Sequence, residues 1–219
     1  MKSDKELQIN VLDELTWEPS VNVEDIGVTV KDGVVTLTGS VDSYAEKSAA
    51  EQAAKRVTGV KALAVEIQVK LPGMSERTDA DIGRAAENAI EWATWVPEDR
   101  IQVTVEQGWI TLSGDVDWRY QKEAAENAVR YLTGVKGVSN LIDIITVQKV
   151  SPAEVKANIE KALKRNARLE AQRITVTATG SKVTLRGNVR SLADREEAER
   201  AAWNAPGVLE VDDEIDIAA

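Results

Sequence analysis

The sequence predicts an α+β protein made of three tandem modules, each with the element order α-β-β-α-β. Two observations support this prediction. The segment 33–41 recurs at 108–116 and at 181–189, with offsets of 75 and 73 residues. Within each copy the apolar periodicity changes from helical to alternating and back to helical. We therefore expect modules at 1–75, 76–149 and 150–219, each a three-stranded mixed sheet with two helices on one face.

The first helix of each module is predicted by an apolar stripe. Leu7, Val11 and Leu15 are spaced by four residues, which places them on one side of a helix. The same spacing recurs in the other two copies. Trp17 and Trp92 occupy equivalent positions at the end of this helix, and we expect them to cover the core.

A β-hairpin follows the first helix. Apolar residues alternate from Ile26 to Val30 and again from Val35 to Leu37, on either side of a Lys-Asp-Gly turn at 31–33. Two runs of period two around a glycine turn are typical of a hairpin.

The second helix and the third strand complete the module. Asp42-Ser43 and Asp117 are the expected N-caps of helices rich in Ala, Glu and Lys. Glycine ends these helices in all three copies, and an apolar third strand follows. A strand, a helix and a strand in this order predict a parallel pair.

Composition argues against catalysis. The 219 residues include no Cys and no His, so thiol and imidazole chemistry is excluded. We predict no catalytic, cofactor or metal site. The net charge of −10 argues against a nucleic-acid partner. The sequence also lacks an apolar run long enough for a transmembrane segment. Without an export signal at its start, the chain is predicted to be cytoplasmic, or periplasmic if such a signal has been removed.

These motifs resemble those of the BON domain family. The resemblance rests on Gly-x-Val-x-Leu-x-Gly-x-Val, an Ala/Glu-rich helix, Gly-Val-x-x-Val and a final Ile-x-Val strand, and it covers all three copies. It implies a non-catalytic binding module associated with phospholipid surfaces, envelope integrity and osmotic stress.

Three tryptophans are candidate interface residues. Trp109 stands where the sister modules carry Val and Lys. Trp118 stands where both carry Ser, and Trp203 stands where they carry Lys and Arg. Such positions are normally exposed, and Trp is enriched at interfaces and at membrane boundaries.

The third module has a candidate surface for anionic phospholipid headgroups. Lys161, Arg165 and Arg168 fall on one helical face, and Lys182 and Arg186 share the outer face of a strand. We expect these cations to meet the headgroups, with Trp203 inserted at the boundary.

Self-association is the alternative function. Residues 1–77, 78–149 and 150–219 carry net charges of −4, −5 and −1, with the bases of the third module clustered early. Opposite charges on different parts of one chain permit head-to-tail contacts that form rings or filaments. Trp109 would supply the apolar centre of such a homo-oligomer contact.

Overall fold

The computed structural model describes residues 3–145, 150–166 and 173–218. Residue 149, at the predicted second module boundary, lies outside the described residues.

Each module begins with a helix, as predicted. The first module contains α1 (Asp4–Trp17), β1 (Ile26–Lys31), β2 (Val34–Val41), α2 (Tyr44–Arg56) and β3 (Ala62–Val69). The second contains α3 (Asp79–Glu91), β4 (Ile101–Glu106), β5 (Trp109–Val116), α4 (Arg119–Arg130) and β6 (Gly137–Ile144). The third contains α5 (Pro152–Arg165), β7 (Ile174–Thr179), β8 (Lys182–Val189), α6 (Leu192–Trp203) and β9 (Glu210–Ile217).

Each module has its own three-stranded mixed sheet, which confirms the predicted fold class. The hairpin strands pair antiparallel, and the third strand joins the middle one in parallel. The register is the same in all three: Val34 pairs with Ala62, Trp109 with Gly137, and Lys182 with Glu210. Equivalent residues can therefore be compared directly between modules.

The hairpin turns are fixed from the start of the first helix. Asp32 and Gly33 both have positive φ, as a two-residue hairpin turn of the primed type requires. The Asp4 carboxylate accepts hydrogen bonds from both amides, at 2.8 and 3.1 Å. Asp79 does the same for Gln107 and Gly108. This contact joins the helix to the hairpin in the first two modules.

The glycine near the middle of each second strand is required by a close backbone approach. Gly114 has a φ of 120°, and a Cβ atom there would lie 1.9 Å from the carbonyl oxygen of Arg100. The equivalent glycines 39 and 187 meet the same obstacle. No side chain fits between this position of the second hairpin strand and the backbone just before the first hairpin strand. This explains why the glycine recurs in the repeat.

The predicted cap of α4 is wrong by one residue. The N-cap is Trp118 and not Asp117, whose carboxylate instead forms an ion pair with Arg100 at 3.1 Å. Because Trp118 has no side-chain acceptor, the Gln121 side chain accepts hydrogen bonds from the amides of residues 117 and 118, each at 3.0 Å. In α2 the predicted serine, Ser43, is the cap.

The core of each module lies between its two helices and the inner face of its sheet. The predicted stripe of α1 is buried, and so are Val35 and Leu37 of β2. Trp17 and Trp92 are not part of this arrangement: they are 85% and 82% exposed. Trp17 follows Leu15 by two positions, which turns it about 200° round the helix from the core. The prediction that these tryptophans cover the core is therefore wrong.

Candidate functional site

The second helices of the three modules, α2, α4 and α6, carry the contacts between modules, and we call them the central helices. The first residue of each central helix approaches the next module in turn. Tyr44 packs against the core of module 2, Arg119 lies over Trp203 of module 3, and Leu192 packs against the core of module 1. These three residues occupy equivalent positions. The contacts between modules therefore form a closed cycle within one chain.

Trp203 lies inside this cycle. The guanidinium carbon of Arg119 is 5.5 Å from the centre of its ring, a cation–π geometry. Its indole N–H donates to Glu199 at 3.0 Å. A second bridge joins Arg200 to Glu123 at 3.6 Å. The structure thus places this predicted interface residue, half-buried, at the contact between modules 2 and 3.

The contact between modules 3 and 1 includes an ion pair between side chains and a hydrogen bond between backbone groups. Lys55 and Glu196 form an ion pair at 2.6 Å. The amide of Gly59 donates to the carbonyl of Arg190 at 3.0 Å. Together with Leu192, these contacts connect the end of the chain to its beginning.

The contact between modules 1 and 2 contains two groups with shifted pKa values. Burial raises the pKa of the Tyr44 hydroxyl, and the nearby charges of Glu126 and Glu51 raise it further. Burial also raises the pKa of Glu51. The cations Lys55, Lys47 and Arg130 offset part of that effect. A carboxylate thus sits in a partly dehydrated contact at the centre of the molecule.

Trp118 and Trp109 both lie in module 2, on different elements. Trp118 is half-buried at the start of α4. Trp109 is 46% exposed on the outer face of its sheet. One edge of its ring covers Gly137, where an added Cβ would come within 2.4 Å of the ring. Its indole N–H donates to Ser139 Oγ at 2.9 Å. The Trp109 ring is therefore held flat across the sheet.

The predicted cations on β8 are paired with the neighbouring strand. Lys182 lies 2.8 Å from Glu210 and 3.3 Å from Asp212, and Arg186 lies 2.6 Å from Glu214. Hydrogen bonding to Glu210 raises the pKa of Lys182. The Arg186 hydrogen bond lowers the pKa of Glu214. The outer face of the third sheet is consequently a ladder of opposite charges and not a basic surface.

Lys161 and Arg165 lie exposed on α5, and Arg168 lies outside the described residues. The two described cations line a cleft of about 420 Å³ between α5 and α6, together with Asn158 and Asn204. The structure thus brings Lys161 and Arg165 together, and it separates them from Lys182 and Arg186, whose charges are already paired.

Sequence reasoning missed the most exposed aromatic positions. Trp17 is the last residue of α1, and Trp92 directly follows the last residue of α3. The equivalent residue in module 3 is Arg165. Trp95, nearby, is 66% exposed and contacts the Tyr120 ring edge-on at 6.3 Å between centres. Their exposure could have been predicted from the helical period. Both Trp17 and Trp92 follow the last buried residue of the apolar stripe by two positions, about 200° round the helix.

Within 3–145, 150–166 and 173–218, no group of three or more acidic, His or Cys side chains is arranged to hold a metal ion. In the same part of the chain, no helix combines the length and apolar character needed to cross a bilayer.

The fold defines a class of protein built from small α/β modules in tandem, joined through surface contacts. The BON domain model matches residues 3–70, 78–146 and 151–219, so this chain belongs to the BON domain family. That family is not known to be catalytic. The chain is also 30% identical over 149 residues to osmotically-inducible protein Y of Escherichia coli (strain K12), across 63% of this chain and 70% of that protein.

Solved structures give only weak overall matches. CdsD, a structural protein of the type III secretion system of Chlamydia trachomatis, is 13% identical, with 97% of this chain and 92% of that one covered and a TM-score of 0.28. The PrgH periplasmic domain is 10% identical, with 95% and 100% covered and a TM-score of 0.22.

Proposed function

We propose that this protein binds phospholipid membrane surfaces through the ends of its three first helices. The observation that carries the proposal is the exposure of Trp17 and Trp92 at equivalent positions, with Arg165 at the third. Large exposed aromatic side chains are costly in water unless a partner covers them. Trp is also well suited to the boundary between headgroups and acyl chains.

The cyclic arrangement supports simultaneous contact by all three positions. In a closed cyclic assembly, equivalent residues lie at one level along the axis. We infer that Trp17, Trp92 and Arg165, which occupy equivalent positions, form a ring that a flat surface can meet at once. We call this ring the helix-end ring. Three weak contacts on one rigid body reinforce each other, since the second and third form without a further loss of translational freedom.

Charge gives the ring a preferred orientation. Arg165 and Lys161 supply cations at module 3, whereas Glu18 and Glu91 flank the tryptophans of modules 1 and 2. Anionic headgroups would therefore meet module 3, with the two tryptophans inserting shallowly beside it. Trp203 packs between modules 2 and 3, so we propose that Trp17 and Trp92 insert at the membrane boundary instead of Trp203.

The family and the relative support a role at the cell envelope under osmotic stress. Phospholipid surfaces are what the resemblance to BON proteins implies, and the relative from Escherichia coli is named for osmotic induction. Self-association has less support, because the opposite charges that motivated it pair within the chain, as in Lys55–Glu196 and Arg186–Glu214.

The test is co-sedimentation with vesicles of phosphatidylglycerol and phosphatidylcholine, at low and high salt. The double variant Trp17→Ala, Trp92→Ala should bind at least about tenfold more weakly, since burying one aromatic ring contributes about 1.5 kcal/mol or more. Trp109→Ala is the matched control, because it removes an exposed tryptophan from another face. Its binding should equal that of the wild type.

A second pair of variants separates the charge contribution. Lys161→Ala with Arg165→Ala should remove the preference for phosphatidylglycerol over phosphatidylcholine. Arg186→Ala should not, because that guanidinium is already paired with Glu214. No binding of the wild-type protein at low salt would refute the proposal. Equal losses for the helix-end variant and for Trp109→Ala would refute the assignment of the surface.

A further inference from the structure

A cleft of about 500 Å³ lies between modules 1 and 2. We call it the Trp109 cleft. Its volume is within the range of small-molecule sites in proteins, about 300–1,000 Å³. It is lined by Lys47, Ile67, Gln68, Val69, Glu106, Gln107, Trp109, Thr111 and Lys136.

One wall of the cleft is a fixed aromatic plane. Gly137 lies against the Trp109 ring from one side, and the hydrogen bond to Ser139 fixes the direction of the indole N–H. The ring therefore loses little conformational freedom when a ligand stacks on it. The equivalent positions, Val34 and Lys182, offer no such plane.

Two cations in the cleft have unused hydrogen-bonding capacity. The ammonium group of Lys47 acts on the nearby Glu51 through its charge, and neither Lys47 nor Lys136 makes a side-chain hydrogen bond or ion pair with another described residue. The residues equivalent to Lys47 are engaged in their own modules. Lys122 donates to the carbonyl of Ile142 at 2.7 Å, and Arg195 donates to Asp213 at 2.6 Å.

The remaining lining combines amide, hydroxyl and carboxylate groups with an apolar floor. Gln68, Gln107 and Thr111 can each donate and accept hydrogen bonds. Ile67 and Val69 supply the floor. With Lys47 and Lys136 opposed by Glu106, the charged side chains of the cleft sum to a positive value, although the whole chain is acidic.

We propose that the Trp109 cleft binds a sugar that carries a carboxylate. A pyranose ring has C–H groups on its faces, which stack on an indole, and hydroxyls on its rim, which match the glutamine and threonine side chains. Its carboxylate would pair with Lys47 and Lys136. A flat aromatic acid could use the tryptophan and the lysines, but it would leave the polar rim without partners.

The test is isothermal titration of the full chain with tri-galacturonic acid, with maltotriose and benzoate as comparison ligands. One molecule of tri-galacturonic acid should bind per chain, more tightly than either comparison ligand by at least about tenfold, and raised salt should weaken it. Trp109→Ala and Lys47→Ala should each weaken binding tenfold or more.

Matched controls come from the repeat itself. Lys136→Ala should weaken binding, whereas Lys61→Ala, at the equivalent position of module 1 and outside the cleft, should not. Absence of binding at millimolar ligand, or unchanged binding by Trp109→Ala, would overturn the proposal. Equal binding of maltotriose would exclude the carboxylate, and equal binding of benzoate would exclude the sugar. None of these outcomes bears on the helix-end ring, whose residues are unaltered in these cleft variants.

Discussion

The inner and outer faces of the three sheets differ in how much they vary between modules. On the inner face, Leu37, Leu112 and Leu185 are equivalent and fully buried. On the outer face, the first register pair of the parallel strands is different each time: Val34–Ala62, Trp109–Gly137 and Lys182–Glu210. The core thus determines the fold, and each outer pair is matched locally, by size in one module and by charge in another.

The contacts between modules vary in the same way as the outer faces. Tyr44 with Arg130 and Arg119 with Trp203 are different chemical pairs at equivalent positions. At the third contact the equivalent residue is Leu192, and Lys55 pairs with Glu196, one helical turn further along α6. Unlike pairs make each contact specific for one neighbour, so the modules assemble in one order.

The strongest way to test the comparison is to remove matched side chains from both faces of one sheet. Leu112→Ala should lower the free energy of unfolding by about 3 kcal/mol, because it leaves a cavity in a packed core. Thr104→Ala, on the exposed face of the adjacent strand, should change it by no more than about 0.5 kcal/mol. Urea unfolding followed by circular dichroism measures both. Similar losses for the two variants would contradict the distinction between the faces.

The fold was predictable because its causes are local and repeated three times. Apolar stripes, glycine turns and the glycine at 39, 114 and 187 recur at fixed offsets, and each has a physical reason within its own module. The candidate sites were less predictable. Pairing of Lys182 with Glu210 requires the strand register, which the sequence does not state. The cycle that covers Trp203 joins residues far apart in the chain whose chemistry differs at every contact, so no repeat pattern marks it.

A medium-sized effect should come from the centre of the cycle. Burial raises the pKa of Glu51 above its ordinary 4.5, so its charged form is disfavoured in the folded state. The folded protein then holds the proton more tightly than the unfolded chain does. The resulting cost is present above the raised pKa and is relieved as the pH falls through it. Glu51→Gln should therefore raise the melting temperature at pH 7, and the gain should shrink on acidification towards pH 4.5.

A half-buried glutamate, Glu18, provides the control of opposite sign for Glu51. Hydrogen bonds from Ser20 and Arg56 lower the pKa of Glu18. Its stabilising effect is present above the unfolded pKa and is lost as the pH falls through the folded one. Glu18→Gln should therefore lower the melting temperature slightly at pH 7. If both variants shifted the melting temperature in the same direction, burial of Glu51 would not be the cause of its effect.

The smallest effect should come from the charge ladder on the outer face of module 3. Arg186 donates to Glu214 through two nitrogens, yet both side chains are exposed, and water screens their attraction. Arg186→Ala and Glu214→Ala should each leave the urea midpoint nearly unchanged.

The surface charge should respond more than the stability, because each single variant frees one charge of the ladder. Arg186→Ala should strengthen retention on an anion-exchange resin at low salt, because it adds to the net negative charge, whereas Glu214→Ala should reduce retention. The double variant should elute with the wild type. A large loss of stability in either single variant would mean that the outer face contributes to the fold as the inner face does, and the contrast between the two faces would fail.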